Sequence, residues 1–193
     1  MAFVMYDDLI GSVDLTIVDI AGPGPLNLTA GTGSGRPNFY NTEVRGYDPN
    51  LGGGTFVYAK YGGTIAVGTV VELTPSLSGG VVIQSATAWA GTANTGKPLA
   101  VALSAGVVTN WGWFQIQGNA ITTCQGSPVA GNPAYWQASG VVSPTAVAGK
   151  QVLNAQFSTA PAVTIGSGTG ATVLGATQAV VYLQRPCAQS AIT

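Results

Sequence analysis

The sequence contains no histidine, and only 6 Lys or Arg and 7 Asp or Glu among 193 residues. Without an imidazole, Ser-His-Asp and Cys-His nucleophilic sites lose their proton carrier, and the commonest metal ligand is missing. Charged residues make up 7% of the chain, against roughly a quarter in an ordinary soluble protein. A folded chain with so little charge lacks the usual electrostatic barrier to association, so the composition predicts a protein that works assembled. Cys124 and Cys187 stand far apart in no CxxC spacing. They cannot complete a four-ligand zinc site, and in a chain without an export signal they are read as free thiols.

The few charges are unevenly placed. All the acids (Asp7, Asp8, Asp14, Asp19, Glu43, Asp48 and Glu72) precede residue 73, and only Lys97, Lys150 and Arg185 follow. Three scattered bases cannot neutralise a row of phosphates, so nucleic acid is not expected as a partner. Met1 to Tyr6 is apolar but lacks a basic flank and meets Asp7 and Asp8 at once, so no secretion signal is expected. Gly, Ser, Thr or charge breaks every apolar run short of the about 18 residues that would span a bilayer, so no membrane association is expected.

What the chain does have is glycine and apolar residues. The 28 glycines and 11 prolines punctuate short runs of Val, Thr, Ile and aromatics, while apolar residues reach 46%, enough for a substantial core. Short alternating runs between breakers read as strands, and the fold class is all-β: a compact β-barrel or β-sandwich with an extended N-terminal arm. Strands are expected at 55–61, 64–73, 81–89, 98–105, 111–118, 134–138 and 171–184, with a tight turn at Gly62-Gly63. Residues 147–157 are the one stretch that tolerates a short helix. The organisation follows: residues 1–50 form a strand and Gly/Pro-rich arm, 51–187 the β domain, and 188–193 a tail. In the arm, Val13, Leu15 and Ile17 alternate with Asp14, Thr16 and Val18. That strand either pairs with a neighbouring subunit's sheet edge or completes its own barrel.

Tests for chemistry return little. Gly91 to Lys97 fits GxxxxGK, but the Ser or Thr that would hold magnesium is Pro98. The next residues are strand-like, whereas a phosphate loop must open a helix, so a polar loop is the expectation. Of the acids outside the arm, Glu43, Asp48 and Glu72 are each read as solvated surface. In WGWFQIQG, alternation puts Trp111, Trp113, Gln115 and Gln117 on one face and Phe114 and Ile116 on the other. The first face fits a second core layer, a protein interface or stacking on sugar rings.

Residues 52–118 carry a recognisable order of motifs. Phe56-Val57-Tyr58, then Val67 to Val71, then Pro98 to Ala105, then Gly112 to Ile116 resemble small capsid-associated proteins of tailed phages, and VVYLQRP at 180–186 resembles their final strand. Two departures are Thr69, where the family usually has an acid, and Trp111, where a small or polar residue is usual. The resemblance implies a β-barrel decoration or cement protein, often a homotrimer, bound to the major capsid protein at the outside of the virion after synthesis in the host cytoplasm. The near-empty acid–base toolkit of the chain separately sets the expectation of no enzyme activity and no cofactor. The alternative is a head-fibre or receptor-binding module whose aromatic face holds a glycan.

Overall fold

The computed structural model describes residues 4–5, 41, 43–78 and 80–191. Thirteen strands account for nearly all of its regular structure: β1 (Val4–Met5), β2 (Glu43–Asp48), β3 (Gly52–Tyr61), β4 (Val70–Ser78), β5 (Val81–Ala88), β6 (Leu99–Ala102), β7 (Trp111–Thr123), β8 (Pro133–Ala138), β9 (Val141–Ser143), β10 (Gln151–Phe157), β11 (Thr164–Ile165), β12 (Thr172–Val173) and β13 (Gln178–Ala188). The chain is thus all-β, as its glycine punctuation and alternation predict. The expected N-terminal arm, with Val13, Leu15 and Ile17, lies outside the described residues.

The pairings close a ring. β3 pairs with β5 in parallel, and the antiparallel pairs β5–β4, β4–β6, β6–β7 and β7–β3 complete it. Five strands leave a narrow bore, and the sequence fits it with small residues beside large ones: Ala59, Ala86, Ala100 and Ala102 share the interior with Tyr61 and Phe114. The Tyr61 ring passes so close to Gly106 and Gly112 that a Cβ at either would stand 2.6–2.8 Å from it. Its hydroxyl bonds the carbonyl and the Oγ of Ser104, both at 2.9 Å. Burial holds the phenol above its ordinary pKa despite that hydrogen bond, so it stays neutral.

The long strand β7 outlasts the ring. Its second half, Gln117 to Thr123, pairs with Gln184 to Gln178 of β13, and the sheet continues through β10, β8 and β9. A parallel bridge between Cys124 and Val142, with the Gln125 N–H donating to Val142 O at 2.9 Å, returns β9 to the end of β7. A second ring results, and β7 belongs to both. Trp89, Leu99, Val101, Phe157, Val181 and Leu183 fill the core on this side. A third apolar layer lies on the other face of β3 and β7, where Val44, Phe56, Tyr58, Trp111 and Trp113 meet Ile83 and Leu174. Each large side chain buried in these layers contributes roughly 1.5–3 kcal/mol.

Three local expectations change. Residues 151–157 form β10 rather than a helix, because Val152 and Phe157 pack into the second core while Asn154, at φ 58°, makes an irregularity opposite β13. Gly62-Gly63 is not a hairpin turn, since β3 and β4 are not neighbours; the Gly62 N–H donates to Ala86 O at 2.7 Å and continues the parallel pairing. The boundary placed near residue 50 falls inside the β2–β3 hairpin, whose six register pairs make Glu43 to Asp48 part of the main sheet.

Candidate functional site

The tryptophan face is a core layer. Trp111 is 6% and Trp113 2% exposed. Tyr58 holds both rings, stacking on Trp111 at 5.7 Å between centroids and tilting against Trp113 at 5.1 Å. Gln115 is fully buried and donates from Nε2 to the carbonyls of Gln117 and Asn119, both at 3.1 Å. Gln117 leaves the face altogether. Phe56 pairs with Gln115 but Thr55 pairs with Gln117, so β7 has one extra residue at Ile116. Such a bulge breaks the period of two and turns the following side chain over. Gln117 is therefore exposed on the side of Thr55, and it alone of the four is accessible.

Two of the three acids read as solvated are buried. Asp48 accepts the N–H groups of Asn50 and Leu51 at 2.8 and 2.9 Å, which shapes the Asp-Pro-Asn turn between β2 and β3. Glu72 is held by Lys97 at 2.8 Å. That ion pair also disposes of the GxxxxGK segment, because its lysine is committed to a carboxylate. The loop is pinned by backbone bonds from Asn94 to Gly149 and from Gly96 to Gln189, and it enters β6 rather than a helix. Its first glycine carries weight of a different kind. Gly91 has φ +70°, and a methyl group there would overlap the Trp136 indole, which donates to Trp89 O at 3.1 Å and lies under Lys150 Nζ at 4.0 Å. Gly91→Ala is expected to cost about 2–4 kcal/mol from combined backbone strain and overlap, read as a lowered denaturation midpoint.

Both cysteines are free thiols, and burial raises the pKa of Cys124, which makes it a poor nucleophile. Among the described residues no three His, Cys, Asp or Glu side chains gather as a metal site. Nor, among the described residues, is any helix long and apolar enough to cross a membrane.

One open surface lies at a mouth of the first ring. A cleft of about 380 Å³ has Val57, Leu73, Leu99 and Ile116 as its floor and Glu43 and Arg185 at its rim. Arg185 sits at φ 51° in a kink of β13 and donates both guanidinium nitrogens to Glu43, at 3.0 and 2.7 Å. This hydrogen-bonded pairing holds the Glu43 carboxyl below its usual range. Its stabilisation is present above the ordinary glutamate pKa and is lost as pH falls through the lowered value. Both groups face solvent, so Glu43→Gln is expected to change stability by about 0.5 kcal/mol or less at neutral pH. A salt titration of the unfolding midpoint checks this.

Past this mouth the β4–β5 hairpin runs on alone. Backbone pairing to β6 ends at Glu72–Leu99 and pairing to β3 starts at Ser85, so among the described residues β4 beyond Leu73 and β5 before Ser85 have sheet partners only in each other. Ile83 anchors one face in the tryptophan layer. On the other face the register continues the barrel lining outward, from Leu73 and Ala86 through Pro75 and Gln84 to Leu77 and Val82. Those last two side chains are 73% and 62% exposed. The hairpin edges are blunted. Pro75 follows Leu73, whose N–H points away from β5 to Pro98 O, and it has no N–H to offer a further strand. On the other side the Asn41 amide bonds the carbonyl of Val82 and the N–H of Gln84. Backbone pairing is thus discouraged, while apolar side-chain contact is left open. From the sequence, Leu77 and Val82 are indistinguishable from other strand residues, since only the ring geometry shows where the lining leaves the barrel. No protein-family model matches the chain, and no curated protein matches it significantly.

Proposed function

We propose that this chain is a structural virion protein that binds the outside of a phage capsid and cements adjacent capsid subunits. The observation that carries the reading is the apolar strip that leaves the barrel mouth and ends at exposed Leu77 and Val82. No charged residue occurs between Glu72 and Lys97, so the whole hairpin can enter an interface without burying an unpaired ion. A protein working alone gains nothing from such a patch, whereas a partner of matching shape gains its burial. The motif order over 52–118 supports a capsid as that partner, and the low overall charge supports permanent assembly, with self-association as a trimer the arrangement that multiplies weak clamps. The copy number of this chain relative to the major capsid protein in purified particles tests the reading. A ratio between about one-third and one is expected for a cement that occupies many equivalent sites. A handful of copies per particle, or none, would reject it.

A further inference from the structure

The second open surface lies where β2, β3, β7 and β13 run past the first ring. Register places Arg45 beside Thr55, Thr55 beside Gln117 and Gln117 beside Gln184, a row of polar side chains across four strands. Next to this row the sheet is bare. On the same face Tyr47 stands opposite Gly53, which has no side chain, while Gly46, Gly54 and Gly118 lie in register between the two rows and contribute backbone only, a Cβ at Gly54 pointing the other way at Phe56 and Gln115. A groove of about 580 Å³ results, with Tyr47 and Tyr182 among its walls and glycine backbone in its floor. Tyr47 is 50% exposed. Gly118 is required by the fold, because at φ +93° a Cβ would collide with Gly53 O. Gly53 is not: its φ is ordinary and a Cβ there would meet nothing closer than 4.0 Å. The space above Gly53 is left open without any packing reason.

We propose that this groove binds a carboxylated saccharide. Tyrosine walls offer flat apolar faces to a sugar ring, and the Thr55 hydroxyl and Gln117 amide offer donors and acceptors matched to ring hydroxyls. The charge selects the acid. Among the described residues Arg45 makes no hydrogen bond or ion pair, and no carboxylate among them lines the groove. The acid two residues away on the same face of β2, Glu43, is already held by Arg185. A free guanidinium beside hydroxyl-binding groups suits the carboxylate of a uronic or sialic acid residue, which it takes in bidentate fashion.

The test is a titration of the full-length protein by ligand-observed NMR, with trigalacturonate as the acidic probe and maltotriose as the neutral one. Saturable binding of trigalacturonate is expected, weakened at least about tenfold by Arg45→Gln, the size of one charge-assisted contact, and weakened further by added salt. Gly53→Leu, which fills the groove from an unobstructed position, is expected to abolish binding with an unchanged circular dichroism spectrum and melting temperature. Tyr182→Ala provides a second, cavity-opening variant with the same expected loss. The proposal is overturned by no saturable binding of either probe, by equal affinity for both, or by binding that Gly53→Leu leaves intact.

Discussion

Trp113→Ala is expected to lower the free energy of unfolding by about 3–5 kcal/mol, as measured by urea denaturation. The ring is almost completely enclosed, tilts against Tyr58 at 5.1 Å, and belongs to a layer that ties β2 through Val44, β3 through Phe56 and the β4–β5 hairpin through Ile83. Removing it leaves a cavity that these side chains, fixed on strands of three different pairings, cannot close, so both the burial and the packing energy are forfeited. Trp113→Phe should recover most of the loss. Gln117→Ala, at the exposed residue just past the bulge, should change stability by about 0.5 kcal/mol or less. A Trp113→Ala protein that keeps its stability and loses only particle binding would return the ring to the role of an interface residue.

The contrast between those two neighbours shows where the sequence is informative. Phe56, Tyr58, Trp111 and Trp113 alternate with Val57, Ala59 and Phe114, and the structure buries both sets, one in the tryptophan layer and one inside the ring. Alternation told the faces apart but could not tell an outer face covered by more chain from one left to solvent. Nor could it foresee the bulge at Ile116, which depends on β3 and β7 pairing across a long separation. The same limit explains Asp48 and Glu72. A carboxylate reads as solvated until the turn N–H groups or the lysine that receive it are known. Residues 151–157 give no clear period because their buried positions, Val152 and Phe157, are five residues apart and share one core only through the irregularity at Asn154. The saccharide groove was illegible for a further reason: Gly46, Gly53, Gly54 and Gly118 look like turn residues in sequence, and only the register aligns them into a floor.

Replacing both exposed residues of the hairpin, Leu77→Asp together with Val82→Asp, is expected to weaken shell binding by at least about 100-fold. Burying each side chain at an interface is worth roughly 1.5–3 kcal/mol, so losing two removes about 3 kcal/mol or more per site, before the cost of desolvating two new carboxylates. In a trimer that clamps at three points, the loss compounds through avidity. The isolated chain should be nearly indifferent, because both side chains already face water and Ile83 still anchors the hairpin from its other face. That separation makes the double variant the sharpest test of the cement reading. Shells that bind poorly to a protein with normal unfolding would show that the hairpin is the clamp, since no loss of fold is available to explain the defect. Decoration at unchanged affinity would mean that the apolar strip leaving the barrel mouth meets no capsid subunit. The reading would then lose the observation that carries it, whatever the copy number in particles.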